Sequence, residues 1–584
     1  MEAVVGNSNF REMFKDRAVV VTNLPPGYSK QLAQQVKLTS GNGDVCLRTT
    51  SQLNGLFDRL IQGTDAVQSP GNLVLVDQAG QLTREGRAVE DYLLASRGKQ
   101  EFFDADMHMF HVTGFPLTGK LVKPPARSFG NAELKVWRID PNDHRRIPAP
   151  GDEGILFHTS GLSLGNRGNR SLHAPKRSWR IDLEKHGGID NRLAGMSRIN
   201  LNAMYSDPSQ MREALAWHLF GKVGIPSSRH TYAKLAFSAS YRGLFSLIEQ
   251  VDRRFLKDHF GDNDRGNLYK AYCCDTGCAT LDYEVGLEGV DYGHHYFAPL
   301  TADRLYRLRT NKKNSKQNTY ADLAYFIETI NGVRLPGGPA RFDTDAFRES
   351  VDQVMNTWAF LRWAGVNILL GAWDNYFGTP ANFYLYNSGR KGAERDFVDS
   401  PYFTFIPWDY DKCLGIDNVS VRWQYSDIIN WASSAKHYWR DHSPSRIPLV
   451  TNLLQNRVYR QYYIDHIEYL LDTEFHPKAI AAEIGGESNG GLWDRVRQAA
   501  YQESETPHGP PFTGRGYSNH EVYWNAARQS ELRRGPKKID GIVHYVRMRR
   551  DSARDQLEQL RKTLPRSTHN TDFPSTMELL PAKR

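Results

Sequence analysis

The chain has no run of 18 or more apolar residues, so no segment reads as a membrane-spanning helix. Its opening stretch, MEAVVGNSNFREMFKDR, has no apolar core of signal-peptide length, and no export signal is expected in the chain as given. The compartment is therefore left open. Cysteine is scarce: Cys46, Cys273, Cys274, Cys278 and Cys413 are the whole set. Three of them crowd into CCDTGC with no second spaced pair, which argues against a four-ligand zinc site and against a disulfide framework. Buried or incidental thiols fit better, with one local disulfide left open. Long Lys/Arg blocks are absent beyond short groups such as Arg145-Arg146 and Arg547-Met548-Arg549-Arg550. A net charge of +8 over 584 residues is mild, so nucleic acid is not expected as a main partner. With 40% hydrophobic and 24% charged residues, the composition is that of a folded globular protein.

Residues 1–105 alternate short apolar runs (AVVVTNL, NLVLVDQ) with helical-looking polar stretches and carry no chemical motif. They read as an α/β appendage of unassigned role. From 106 to 255 the texture is that of strands (MHMFHVTGF, AELKVWRID, GILFHTS, RSWRIDL) bounded by turn residues, with one helix in SDPSQMREALAWHLFGKVGIP. There Asp207 is expected as N-cap, Pro208 in the first turn, and Gly224 with Pro226 as the stop. TYAKLAFS and GLFSLIEQV read as a hairpin. Residues 256–565 read as mainly helical, with DTDAFRESVDQVMNTWAFLRWAGVNILLGAW as one helical stretch followed by the strands FYLYN and FTFIPWDYD. The last stretch, 566–584, is expected to be disordered. The fold class is α+β, and a β-rich lobe followed by a helical lobe is the order of parts in a two-lobed phosphotransferase.

GAWDNYFGTPANFYLYN places Asp374 just past an apolar helix and Asn382 at the head of a strand, while Asp409 and Asp411 end the strand TFIPWDYD. If the two strands pair, these oxygens converge, and such a set suits Mg²⁺ or Mn²⁺. Caps and turns are the plainer account of any single Asp. Cations for phosphate are offered by GLSLGNRGNRSLHAPKRSWRIDL, whose Gly165 and Gly168 turn lets backbone approach an anion beside Arg167, Arg170 and Lys176. SLIEQVDRRF runs an apolar strand into Glu249, where a linker between lobes would hold adenine. Lys270 in GNLYKAY, and Arg212 with Glu213 on the helix, are further candidates.

With these blocks in view, the sequence resembles the CotH-type spore-coat protein kinase family of atypical secretory kinases over about residues 150–475. RGNRS with PKRSWRIDL, the DPSQMREALA helix, YRGLFSLIEQVD, GNLYKA, GAWDNYFGTPANFYLYN and FIPWDYD stand in the family's order. The resemblance implies an atypical protein-kinase-like fold and ATP-dependent phosphorylation of Ser or Thr in surface or coat proteins by a monomer. It implies that Asp374 orients the acceptor hydroxyl and that Asn382 and Asp409, with Asp411, hold Mg²⁺ or Mn²⁺; the reverse assignment of Asp374 and Asp409 stays open. It further implies that Lys176 contacts phosphate and that Glu249 marks the adenine linker, while Arg212 and Lys270 occupy family-motif positions; with Arg167 from the Gly-rich turn they make up the expected nucleotide-binding set. There is no complete G-x-G-x-x-G loop, Ala372-Trp373 stands where His-Arg precedes the catalytic Asp of ordinary kinases, and Tyr410-Asp411 stands in place of Phe-Gly. Two other classes remain in view: a non-catalytic structural or adhesive surface protein on the same fold, and a metal-dependent phosphoesterase.

Overall fold

Short apolar strands separated by Gly, Asn and Pro turns must satisfy hydrogen bonds on both edges, and closing the sheet is one way to do so. The computed structural model of the chain describes residues 18–21, 73–76 and most of 99–564. The longer stretches outside it are 115–126, 146–153, 284–304, 390–399, 432–446 and 505–516, and the 566–584 tail lies outside it too. The chain divides into two units: Met1–Ala105 with Arg192–Ser197 and Val251–Asp264, and the remainder. In the first unit β1 (Ala18–Val21) pairs in parallel with β2 (Leu73–Val76). All elements below belong to the second.

Its first part runs β3 (Met107–Thr113), β4 (Arg127–Arg138), β5 (Ile155–Arg167), β6 (Ser178–Asp182), β7 (Arg198–Asn202), α1 (Arg212–Lys222), β8 (His230–Phe237) and β9 (Ser240–Ile248). The expected β8–β9 hairpin is present. The seven strands close into a barrel in the order β3-β4-β5-β6-β7-β9-β8, because β8 also pairs in parallel with β3. Closure joins strands more than a hundred residues apart, which no local pattern announces.

The second part contains β10 (Asn267–Ala271), β11 (Cys273–Cys274), β12 (Gly277–Cys278), β13 (Tyr306–Leu308), α2 (Ala321–Ile330), α3 (Thr357–Leu370), β14 (Phe383–Asn387), β15 (Phe403–Pro407), α4 (Arg457–Asp472), α5 (Leu492–Ser504) and α6 (Ile542–Arg561). Strands β13-β10-β14-β15 form an antiparallel sheet. The mixture is α+β, as expected. No described helix is long and apolar enough to cross a membrane.

Two helix boundaries differ from expectation. The first helix begins at Arg212 rather than Pro208, since the Asp207 carboxylate turns inward to accept from the Ser209 and Arg212 amides (both 2.9 Å). The stretch read as one helix from 343 breaks between Asp345–Asp352 and α3. Residues at the break pair with β15 instead: Phe403 N donates to Val354 O (2.7 Å) and Asn356 N to Phe403 O (2.8 Å), while the Asn356 side chain caps α3 through Ala359 N. A lateral β-bridge there satisfies backbone groups that a helix would have used internally.

Helix α3 buries thirteen of its fourteen residues, so it has no solvent face and serves as a rigid core support. Trp363 sits against Phe405 of β15 (4.1 Å between centroids) and donates to the Tyr410 hydroxyl (2.7 Å). Where β10 meets β14, a Cβ on Gly266 would fall 1.7 Å from Asn387 O. Gly266→Ala is therefore expected to push the strands apart and lower unfolding free energy by about 3 kcal/mol, at the upper end of over-packing costs. Urea denaturation checks this, and a change under ~0.5 kcal/mol would refute the close approach.

Candidate active site

The apolar helix α3 ends at Gly371, in the left-handed region (φ 59°), and delivers the chain into the stretch that carries the acidic residues. A Cβ at Gly371 would meet the Tyr545 hydroxyl of α6 at 2.1 Å. Beyond it Trp373 donates to Ile416 O (2.8 Å). Buried Asn375 donates to Trp408 O (3.2 Å), and Asn382 donates to Asp374 O (2.8 Å). Two amides thus stitch the loop after α3 to the β14–β15 hairpin. The hairpin register sets Phe383 opposite Pro407, which puts Asn382 and Trp408 at the same end and Asp409 beside them. Asn382 (φ 55°) and Asp409 (φ 65°) both adopt the left-handed conformation, a strain found mostly where a side chain must be aimed.

The carboxylates crowd. Burial, and then Asp411, raise the Asp409 carboxyl above its ordinary value, against the pull of Arg167, Lys270 and Lys412. Lys412 donates to Asp411 (3.0 Å) and to the Ser206 hydroxyl. Burial disfavours its charge, yet Asp411, Asp374 and Asp409 together hold its pKa above normal. Glu213 of α1 accepts from Asn202 Nδ2 (3.0 and 3.2 Å). Burial, then Asp409 and Asp411, push its pKa up to about 8.

Facing these groups are cations. Arg167, at the end of β5, lies over the Trp408 ring (5.3 Å), and its Nη1 is buried with no hydrogen-bond partner among the described residues. Lys270 on β10 is surrounded by the rings of Tyr272, Tyr384 and Trp408 at 5.2–5.4 Å. Burial, then Arg167 and Arg309, push it down to about 7, with Asp409 pulling the other way. The structure thus brings together Asp374, Asn382, Asp409, Asp411, Arg167 and Lys270.

Three other expected nucleotide contacts sit in different company. Lys176 reaches Glu503 of α5 and Leu244 O (both 2.5 Å). Arg212 spends its guanidinium on Asp207 (2.5 Å), Ser209, Leu414 O (3.2 Å) and Asp540 O (2.6 Å). The Glu249 carboxylate accepts from Arg229 (3.1 Å). Conversely, Lys412, Asn202 and Trp408 belong to the site without having been singled out, and Glu213 belongs to it more firmly than its sequence suggests. Arg212 and Glu213 are consecutive on α1 and point about 100° apart, but the network that claims Arg212 reaches partners 202 and 328 positions away, so no local signal separated their roles.

Among the described residues, no three His, Cys, Asp or Glu side chains converge tightly enough to hold a metal unaided. A Mg²⁺ or Mn²⁺ site needs only one or two carboxylates when amide, water and phosphate oxygens complete it. Asp409 beside Asp411, with Asn382 at hand and an orphaned Arg167 donor opposite, fits an ion carried with an anionic ligand.

Two predictions follow from these contacts. Lys176→Met should cost about 3–5 kcal/mol by stranding buried Glu503, and Lys176→Met/Glu503→Leu should recover most of it; additivity in that double-mutant cycle would disprove the pairing. Glu213 has a folded pKa above its unfolded value, so its contribution to stability is full below about pH 4.5 and lost as pH rises towards 8. Urea titrations of the metal-free protein at pH 5 and 8 should show that loss, and Glu213→Gln should reduce it.

The sequence comparisons identify the family. A family described as CotH kinase protein matches residues 164–487. Inner spore coat protein H of Bacillus subtilis is 25% identical over 442 residues, 74% of this chain and 99% of that protein. Invasin CotH2 of Rhizopus delemar is 22% identical over 346 residues, 58% of this chain and 51% of the invasin. Invasin CotH3 from the same organism is 21% identical over 335 residues, so the chain spans about half of each invasin. The matched interval runs from the β5 segment carrying Arg167 through every acidic residue of the cleft and past α4, and over more than half its length the chain belongs to the CotH kinase protein family.

Proposed function

We propose that the chain is an ATP-dependent protein kinase that uses Mg²⁺ or Mn²⁺ and phosphorylates Ser or Thr, on a reduced two-lobed kinase-like fold. The observation that carries this reading is the opposition of charge around Asp409: carboxylates at the ends of α3 and β15, and across from them Lys270 and an Arg167 donor left without a partner. Such a donor, buried and unsatisfied, is costly unless a ligand oxygen meets it. Phosphoryl transfer asks chiefly for positioning and charge neutralisation, which this arrangement can supply. Acceptors in coat or surface proteins are the class that the family resemblance implies, and one relative is itself named a spore coat protein.

When bound, a divalent ion would neutralise charge on the phosphates. Asp409, with Asp411 and Asn382, would hold it; Arg167 and Lys270 would bind phosphate oxygens. Asp374, fixed in place through its own carbonyl by Asn382, would orient the acceptor hydroxyl and take its proton. Glu213 is held by Asn202 at the cleft wall, where its carboxyl stays largely protonated at neutral pH until a cation enters. Lys176 and Arg212 are assigned no nucleotide contact, because both are drawn into buried structural pairs.

The test is a thermal shift with ATP in the presence and absence of Mg²⁺ or Mn²⁺, followed by mass spectrometry of protein acceptors for phosphoserine and phosphothreonine. Asp409→Ala should lose both the metal-dependent shift and the transfer. Asp374→Asn should keep the shift while transfer falls by at least ~10²-fold. ATP binding that ignores the metal would overturn the reading, and release of inorganic phosphate with no transfer to protein would point to a phosphoesterase.

A further inference from the structure

Tyr272, directly after β10, has a ring shared by three cations. The Arg307 guanidinium carbon lies 4.0 Å from the ring centroid, the Lys270 ammonium 5.3 Å and the Arg309 guanidinium carbon 5.6 Å. Arg309 also donates to the Tyr272 hydroxyl. Lys270 stands opposite Arg307 in the β10–β13 register, so the crowding is built into the sheet. Like charges this close repel, and an aromatic face is one of the few neutral groups that attracts each of them.

The backbone of Tyr272 is held on both sides. Its amide donates to Leu305 O (2.8 Å), and its carbonyl accepts from Ala279 N (3.2 Å). Between those two residues the Cys273–Cys278 disulfide closes the β11–β12 hairpin. The Ala279 amide also donates to Pro380 O (2.8 Å), and the Cys273 sulfur lies 3.8 Å from that same carbonyl oxygen. One small hairpin therefore reaches from the ring to the turn that precedes Asn382.

We infer that Tyr272 is a positioning residue for a polyphosphate ligand: its ring gathers Lys270, Arg307 and Arg309, and the Cys273–Cys278 hairpin braces it, so that the cations meet the phosphate chain already assembled. The inference rests on the ATP-dependent reading above and adds to it which residue prearranges the phosphate side of the cleft. A ring that stacked on the nucleobase would behave differently, because adenosine alone would report it.

Binding of ATP, adenosine and inorganic tripolyphosphate, each with Mg²⁺, to wild-type protein, Tyr272→Leu and Tyr272→Phe separates the possibilities. Tyr272→Leu should weaken ATP and tripolyphosphate about tenfold while adenosine changes by less than about twofold, and Tyr272→Phe, which keeps the ring, should recover most of the loss. In transfer assays Tyr272→Leu should raise KM for ATP and leave kcat within about threefold. Cys273→Ser/Cys278→Ser should shift polyphosphate affinity in the same direction, and an unchanged affinity would overturn the bracing role. Equal weakening of adenosine and ATP, or no weakening of either, overturns the role of Tyr272 even if ATP-dependent transfer stands. If wild type binds tripolyphosphate but not ATP, and Tyr272→Leu loses the former, the kinase reading falls and the role of Tyr272 holds; binding of neither ligand by wild type overturns both.

Discussion

The fully buried guanidinium of Arg212 is the interaction on which the cleft depends. It joins three segments far apart in sequence: the Asp207 turn before α1, the carbonyl of Leu414 three residues past Asp411, and the carbonyl of Asp540 near the end of the fold. A buried charge without partners would cost several kcal/mol, so the three segments must converge for the fold to be stable at all. Convergence then has a chemical result. The next residue, Glu213, is carried to the cleft, and the Asp409–Asp411 loop is held against the same helix. Structure and candidate chemistry share a helical turn, in side chains that point about 100° apart.

Convergence also sets an electrostatic problem. Asp374, Asp409, Asp411 and Glu213 are brought near one another in surroundings where charges are felt more strongly than in water. The protein answers in part with Lys412, placed next to Asp411 in sequence, and in part by keeping Glu213 protonated. On the opposite wall the imbalance has the other sign, with Lys270 pushed towards neutrality by its own burial and by Arg167 and Arg309. Charge of one sign thus gathers on one side of the site and charge of the other sign across from it. Under the proposed function, a metal ion meeting the carboxylates and an anion meeting the cations would relieve both at once.

What could be read in the sequence follows from the range of the forces involved. Six of the seven barrel strands, the β8–β9 hairpin and the β14–β15 hairpin were legible because periodicity and turn residues are local, whereas β7 (RINLN) is too short a run to announce itself. The acidic set of the cleft was legible because one hairpin brings Asn382 and Asp409 together within a span of about thirty residues. Barrel closure was not, since it rests on the β3–β8 pairing across more than a hundred residues. Lys176 illustrates the same limit. A lysine at the start of a strand near a Gly-rich turn reads as a phosphate contact, and only the fold reveals Glu503, 327 residues away. The break before α3 was hidden by helical periodicity on both sides of it, and β15, which takes up the freed backbone groups, lies some fifty residues on.

The boundaries of the family match sharpen that point. The match ends at residue 487, yet several groups that complete the core lie beyond it. Glu503 of α5 accepts from Lys176 and from the Leu244 amide, and a Cβ on Gly243 would collide with it. Asp540 supplies a carbonyl to Arg212, and the Tyr545 hydroxyl fills the space left by Gly371 at the end of α3. Arg549, fully buried on α6, donates to Ile368 O of α3 and Ser426 O. The matched interval therefore contains the cleft but not all of its supports. A residue such as Arg212 can keep its place only if the C-terminal elements fold against it, so α5, the Asp540 strand end and α6 are integral parts of the same structure rather than additions to a finished domain.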